Sequence, residues 1–128
     1  MKVLIEPIAI RQDARGFVFD PLGTAPLSAH KSAHVAVTEP GCVRGNHYHS
    51  LTTETLAMIG PWLVRYRENG KITEVSIGAD EAVRMIIPPG VAHAFKNTGS
   101  AASVLVVFSD IDNDRAPSDL VRDVLIQP

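Results

Sequence analysis

Across residues 62–67, Trp62, Val64 and Tyr66 fall on one side of an extended chain, and Arg65 and Arg67 fall on the other. The next four residues, Glu68-Asn69-Gly70-Lys71, contain an Asn-Gly pair suited to a two-residue turn. Residues 72–77 then resume an extended pattern, so the spacing predicts a β-hairpin. Further β-branched or alternating runs occupy residues 34–38, 83–87 and 103–108. Gly and Pro punctuate the intervals, most densely at Pro40-Gly41, Gly60-Pro61 and Pro88-Pro89-Gly90. Only residues 117–125 carry helical spacing, through Leu120, Val121, Val124 and Leu125, which predicts a short helical or irregular C-terminal tail. Many short strands separated by turn residues predict an all-β sandwich or barrel.

Bulk properties narrow the classes of function. The chain has 128 residues, 45% apolar and 20% charged, which fits one globular domain over residues 1–128. A domain of this size buries roughly two-thirds of its unfolded surface, enough for a core without disulfides. The net charge of −2, with Lys and Arg scattered, offers no field for nucleic acid. The longest apolar runs, such as residues 104–108, are too short to span a bilayer, so no membrane partner is expected. Glu6 and Pro7 interrupt any signal-like apolar stretch. The single cysteine, Cys42, agrees with a reducing compartment, and a cytoplasmic location is expected.

Two segments carry candidate chemistry. In the first, His47 and His49 lie two apart, so on a strand both rings share one face about 7 Å apart. Glu54 follows after a short polar bend and can return a carboxylate to the same point. In the second, Pro88-Pro89-Gly90 forms a rigid turn before a strand bearing His93. Imidazoles and a carboxylate together suit one borderline divalent ion, whether zinc, iron, nickel or manganese. Four protein ligands would leave open positions in an octahedral shell, as catalysis requires.

The first segment, about residues 41–60, resembles the first cupin motif: Gly, His-x-His, Glu and a later Gly60. The second, about residues 84–97, resembles the other cupin motif through Pro88, Gly90, His93 and Asn97. The resemblance implies a cupin fold, a jelly-roll β-barrel, holding one divalent metal on His47, His49, Glu54 and His93. Arg44-Gly45-Asn46-His47-Tyr48-His49 is similar to the Arg-Gly-x-His segment of cupins that act on nucleotide-linked keto sugars. These include dTDP-4-keto sugar 3,5-epimerases, 3,4-ketoisomerases and the cupin domain of capsular polysaccharide assembly proteins. Asp13-Ala14-Arg15-Gly16, followed by residues 17–22, resembles their N-terminal strands. Residues 108–110 with Asp112, Asp114 and Asp119 resemble their closing segment. The chain departs from the epimerases in having only Tyr48 and Tyr66, neither late in the sequence where those enzymes place an acid tyrosine. The epimerases and ketoisomerases resembled here use no metal. The capsular assembly cupins combine a similar segment with a bound ion.

The resemblance implies an isomerase or epimerase of a nucleotide-linked keto sugar in surface-polysaccharide synthesis, with His47, His49 and Glu54 as catalytic groups. If an ion takes all three histidines, bound hydroxide or Glu54 serves as base; without it, His47 is the base and His49 its partner. Arg44 is a candidate contact for an anionic small molecule, or else a solvated strand-end residue. Arg65 and Arg67 either form an anion clamp or face solvent. Tyr48 should face away from the ligands into packing, and Asn97 should make a turn bond. His30 and His34 are left outside the site. The alternatives are an iron-dependent oxygenase of a small organic acid or thiol, and a non-catalytic ligand-binding module. A homodimer is expected, with residues before about His34 in its interface, because the resembled families pair in this way and sheet edges need cover.

Overall fold

A computed structural model describes residues 2–112 and 119–128. Five antiparallel strands form one sheet in the order β1 (Leu4–Ile8), β9 (Ala82–Ile87), β6 (Glu54–Ile59), β11 (Ser103–Ser109) and β4 (Ser32–Thr38). Five more form the second: β12 (Leu120–Arg122), β5 (Val43–His49), β10 (Ala92–Asn97), β7 (Trp62–Glu68) and β8 (Lys71–Ile77). A separate hairpin joins β2 (Arg11–Asp13) to β3 (Gly16–Val18). This is the all-β cupin arrangement that the motifs imply. The Asn-Gly hairpin is present: Glu68 pairs with Lys71, and both turn residues are left-handed, Asn69 at φ 51° and Gly70 at φ 76°. Positive φ at both positions matches the right-handed twist of the flanking strands.

The main core lies between the sheets. Trp62, Val64 and Phe95 meet Leu56, Met58, Met85, Ile87, Leu105 and Val107, all nearly inaccessible. Each such side chain contributes about 1.5–3 kcal/mol when fully buried. The inner position of Trp62 and Val64 follows from the period of two in β7.

Of the two expected forms, the C-terminal tail takes the irregular one, after one short strand. Asp119 sits in a 3₁₀ turn and residues 120–128 contain no helix; residues 117 and 118 of the expected helical run, and Asp114, lie outside the described residues. Leu120, Val121 and Arg122 instead pair with His49, Tyr48 and His47 on β5. Beyond β12, the buried side chain of Asn46 accepts the Leu125 and Ile126 N–H groups at 2.8 and 3.1 Å and donates to the Ile126 carbonyl at 2.9 Å. Leu125 and Ile126 pack on Ala92 and Ala94, with Val43 and Tyr48 beside them. An isolated helix of nine residues would have to overcome a costly nucleus. Pairing on β5 and burial on the outer face of β10 satisfy the same backbone groups without it. Tyr48 faces this outer cluster, away from His47 and His49, as expected.

Candidate functional site

A bulge sets the two key strands in register. His93 on β10 pairs with His47 on β5, but the next residue, Ala94, pairs with Gly45, which leaves Asn46 as the extra residue. Gly45 and Asn46 take φ values of 86° and 58°. A Cβ on Gly45 would stand 2.6 Å from the His93 carbonyl oxygen, so only glycine allows this approach. The bulge turns Asn46 outward to the tail and His47 inward to His93.

The His47 and His93 ring centres lie 4.9 Å apart. Glu54, the first residue of β6, reaches across from the opposite sheet. Its Oε1 is 3.3 Å from His93 Nε2 and 3.6 Å from His49 Nε2. One ligand atom each from His47, Glu54 and His93 lies within 4.8 Å of the others. His49 is outside that group of three, although its ring centre is 5.1 Å from that of His47. His93 Nδ1 faces the Val91 carbonyl at 3.0 Å and must donate to it. In the neutral ring the Nε2 lone pair then points at a carboxylate oxygen, whereas the protonated ring donates to it. Two acceptors so placed repel unless a positive charge, a proton or a metal ion, lies between them. The donor set fits a borderline divalent ion held by His47, Glu54 and His93.

Burial holds the His47 pKa down at about 4, helped by the His93 and His49 rings and opposed by Glu54 and a Gly45 backbone contact. Burial alone would raise Glu54, but a hydrogen bond from His93 and the charges of His93, His49 and His47 bring it below its ordinary value. For Asp119, burial is outweighed by hydrogen bonds from Thr52, His49 and the Leu51 N–H, giving a pKa of about 2.

His47, Glu54 and His93 floor a cleft of about 250 Å³ between the sheets. Leu56, Phe95, Leu105 and Val107 supply apolar walls, and Arg44 and His34 also line it. Arg44 is braced by Thr38 Oγ1 at 3.2 Å and the Val37 carbonyl at 2.7 Å. Arg65 and Arg67, expected as a possible anion clamp, do not line this cleft. They project from the outer face of β7, where Arg65 bonds Glu74 and the Leu125 carbonyl and Arg67 bonds Asp123. The tail and Glu74 thus partner both side chains, each of which stays 37% exposed.

His34 is in the cleft although the sequence reading left it out. It shares the inner face of β4 with Ala36, and the period of two in residues 34–38 was the available signal. Asp119 was also missed as a site residue; its Oδ1 lies 2.8 Å from His49 Nδ1, a contact between residues 70 apart that no local spacing reveals. Asn97 makes the expected turn bonds, donating to the Thr38 and Ala101 carbonyls at 2.9 Å each and accepting the Gly99 N–H. Cys42 is exposed and outside the cleft. Among the described residues no helix is long and apolar enough to cross a membrane.

A family model described as Polysaccharide biosynthesis C-terminal domain matches residues 11–120. No curated protein matches the chain significantly. Among solved structures, a dTDP sugar isomerase from Desulfovibrio desulfuricans is similar at 20% identity and TM-score 0.74, over 94% of this chain and 82% of that one. QdtA, a sugar 3,4-ketoisomerase from Thermoanaerobacterium thermosaccharolyticum solved with TDP, is similar at 18% identity and TM-score 0.71, over 94% and 88%. The capsular polysaccharide assembling protein CapF from Staphylococcus aureus is similar at 22% identity and TM-score 0.65. That match covers 93% of this chain but only 35% of CapF, so the chain spans about a third of that protein's length.

Proposed function

Because this chain belongs to the polysaccharide biosynthesis C-terminal domain family, we propose that it isomerises or epimerises a nucleotide-linked keto sugar at a divalent metal centre. The observation that carries this reading is the convergence of His47, Glu54 and His93 at the base of a cleft that Arg44 also lines. A cleft of about 250 Å³ is smaller than the roughly 300–1,000 Å³ of sites that enclose a drug-sized ligand. It takes the sugar ring and leaves the nucleotide on the rim, where the Arg44 guanidinium meets a diphosphate oxygen.

The reaction removes a proton from the carbon beside the sugar carbonyl. The C–H electron pair becomes a C=C bond, and the carbonyl oxygen takes the negative charge. Returning the proton to the same carbon from its other face gives the epimer. For the isomer, the hydroxyl proton on that carbon passes to the former carbonyl oxygen, and the former carbonyl carbon takes up the abstracted proton as the new C=O forms. A bound divalent ion supplies stabilisation of that oxygen charge. Proton transfer then falls to groups outside the ion's shell. His34 is one such group, since it lines the same cleft from β4 and is not one of the three clustered ligands. In the metal-free chain, His47 is neutral at pH 7 and is the nearest base.

The protein acts as a homodimer in this proposal. Among the described residues the β2–β3 hairpin pairs only with itself, and Phe17 and Val18 on it are 47% and 58% exposed. A two-stranded hairpin is marginal alone, and among the described residues β4 is an edge strand, bearing exposed Val35 and Val37. Light scattering at micromolar concentration should give twice the chain mass; a monomer counts against this assembly.

The decisive experiment loads the protein with zinc, manganese, nickel or ferrous iron and incubates it in D₂O with dTDP-4-keto-6-deoxyglucose and a panel of UDP-keto sugars. Deuterium should enter the sugar beside the carbonyl with no oxygen consumed. Oxygen uptake would favour the oxygenase instead. Failure of every metal form to bind any nucleotide sugar at millimolar concentration would remove the polysaccharide reading.

A further inference from the structure

Asp119 joins the C-terminal segment to the site. Its backbone carbonyl accepts the Ser50 N–H at 2.9 Å, and the following residue, Leu120, pairs with His49. Its side chain is almost wholly buried, and its two oxygens have different tasks. Oδ2 accepts the Leu51 N–H at 3.1 Å, the Thr52 N–H at 3.0 Å and the Thr52 hydroxyl at 2.7 Å. Oδ1 faces His49 Nδ1 at 2.8 Å. A carboxylate that accepts this many donors is ionised and has no proton to give. The facing ring nitrogen must therefore be the donor. A neutral imidazole protonated at Nδ1 carries its lone pair on Nε2. That atom looks toward Glu54 Oε1 from 3.6 Å, beyond a hydrogen bond.

We propose that Asp119 is a positioning residue that holds His49 in the Nδ1–H tautomer and turns its Nε2 lone pair toward Glu54. The inference rests on reading His47, Glu54 and His93 as a cation site, to which His49 then offers a fourth nitrogen from outside the close cluster. The last residues of the chain thereby become part of the site, since β12 and the Asn46 clamp hold the segment that Asp119 opens. In Asp119→Asn one acceptor oxygen becomes an NH₂ group. The three donors at Oδ2 retain the remaining oxygen, so the amide nitrogen faces His49. The ring must then accept at Nδ1 and carry its proton on Nε2, pointing it at Glu54.

Long-range ¹H–¹⁵N correlation spectra of the metal-free protein at pH 8.5 read the tautomer directly, with the His49 signals assigned by their loss in His49→Gln. The native ring should be protonated on Nδ1 and the Asp119→Asn ring on Nε2. Zinc affinity, measured by competition with a chromophoric chelator, should fall about 10- to 100-fold in Asp119→Asn, the usual effect of losing a partner that orients a ligand. Thr52→Val is the structural control, because it removes a donor to Oδ2 and leaves the His49 contact. It should lower the unfolding midpoint while leaving tautomer and zinc affinity unchanged. A native His49 protonated on Nε2, or on both nitrogens, overturns the proposal. So does a folded Asp119→Asn protein that keeps the Nδ1–H ring, or one that inverts it without losing zinc affinity. If that variant does not fold, the native tautomer decides. If the native protein takes no zinc, the cation reading falls, and the tautomer still decides the role of Asp119.

Discussion

His93 Nε2 stands 3.3 Å from Glu54 Oε1, while the other nitrogen of the same ring donates to the Val91 carbonyl. When that ring is neutral, its lone pair and a carboxylate face each other in a nearly dry place, His93 being 2% and Glu54 6% exposed. A shared cation relieves that opposition. Protein purified without a nickel column should carry close to one divalent ion per chain by elemental analysis. His93→Ala and Glu54→Gln should each lose most of it. His49→Ala should retain a measurable fraction, because His49 stands outside the 4.8 Å cluster. Full occupancy in Glu54→Gln, or none in the native protein, would sink the metal assignment.

The opposition of His47 and His93 depends on the bulge at Gly45. Gly45→Ala places a methyl group 2.6 Å from the His93 carbonyl oxygen at a residue with φ 86°. Backbone atoms cannot swing aside as a side chain can, so β5 must move away from β10. The substitution should cost about 1–3 kcal/mol in urea unfolding and lower metal affinity along with it. Gly41→Ala is the comparison: it also has positive φ, at 77°, but no atom lies within 4 Å of the added carbon. It should cost stability through strain alone and leave metal affinity unchanged.

How far the sequence shows this site depends on the range of each interaction. The strands of the β7–β8 hairpin were legible because alternation and an Asn-Gly turn are local signals, and both survive in the fold. The grouping of His47, Glu54 and His93 was legible only as motif spacing, since β6 lies in the opposite sheet from β5 and β10. Alternation in β7 separated Arg65 and Arg67 from Trp62 but could not say what covers the charged face. Here the tail does, through Asp123 and the Leu125 carbonyl. The tail's own apolar spacing suited a helix equally well, until Asn46 bound its backbone from 79 and 80 residues away. Asp119 reaches His49 over a separation of the same kind, which no periodicity encodes.

Acid should weaken the metal-free protein before it reaches the carboxylate range. In the unfolded chain His47 takes up a proton near its ordinary 6.5, whereas in the folded chain it does so near 4, because burial and then the His93 and His49 rings disfavour the cation. Between those values the unfolded state binds more protons, so stability falls as pH falls. Above 6.5 both states are neutral at this residue, and below 4 both are charged, so the contribution is flat outside that window. Glu54 and Asp119, both lowered, act in the same direction further down; the stability each gives above its unfolded pKa is lost as pH drops through its folded one. Urea midpoints at pH 7.5, 5.5 and 4.5 should decline in that order. His47→Asn should flatten the upper part of the decline, and an unchanged slope in that variant would assign it to another group.

Arg44 decides whether the cleft accepts a diphosphate. Its side chain lines the same cleft as His47 and Glu54, and the Thr38 hydroxyl and the Val37 carbonyl fix the guanidinium without neutralising its charge. A charge-assisted contact contributes about 1.5–3 kcal/mol, a factor of roughly ten to more than a hundred in affinity. Arg44→Ala should weaken nucleotide-sugar binding by that factor in calorimetric titration of dTDP- and UDP-sugars, with metal content unchanged because Arg44 is not a ligand. Arg44→Lys should recover part of the loss, since it keeps the charge but not the fork that reaches Thr38 and Val37 together. Arg65→Ala and Arg67→Ala should leave affinity within about twofold of native, given their rim-type ion pairs on the outer face. Their effect should appear in stability instead, because they release the tail at Leu125 and Asp123. If Arg44→Ala binds as tightly as the native protein while Arg65→Ala does not, the nucleotide lies across the outer face and the cleft is not the sugar site.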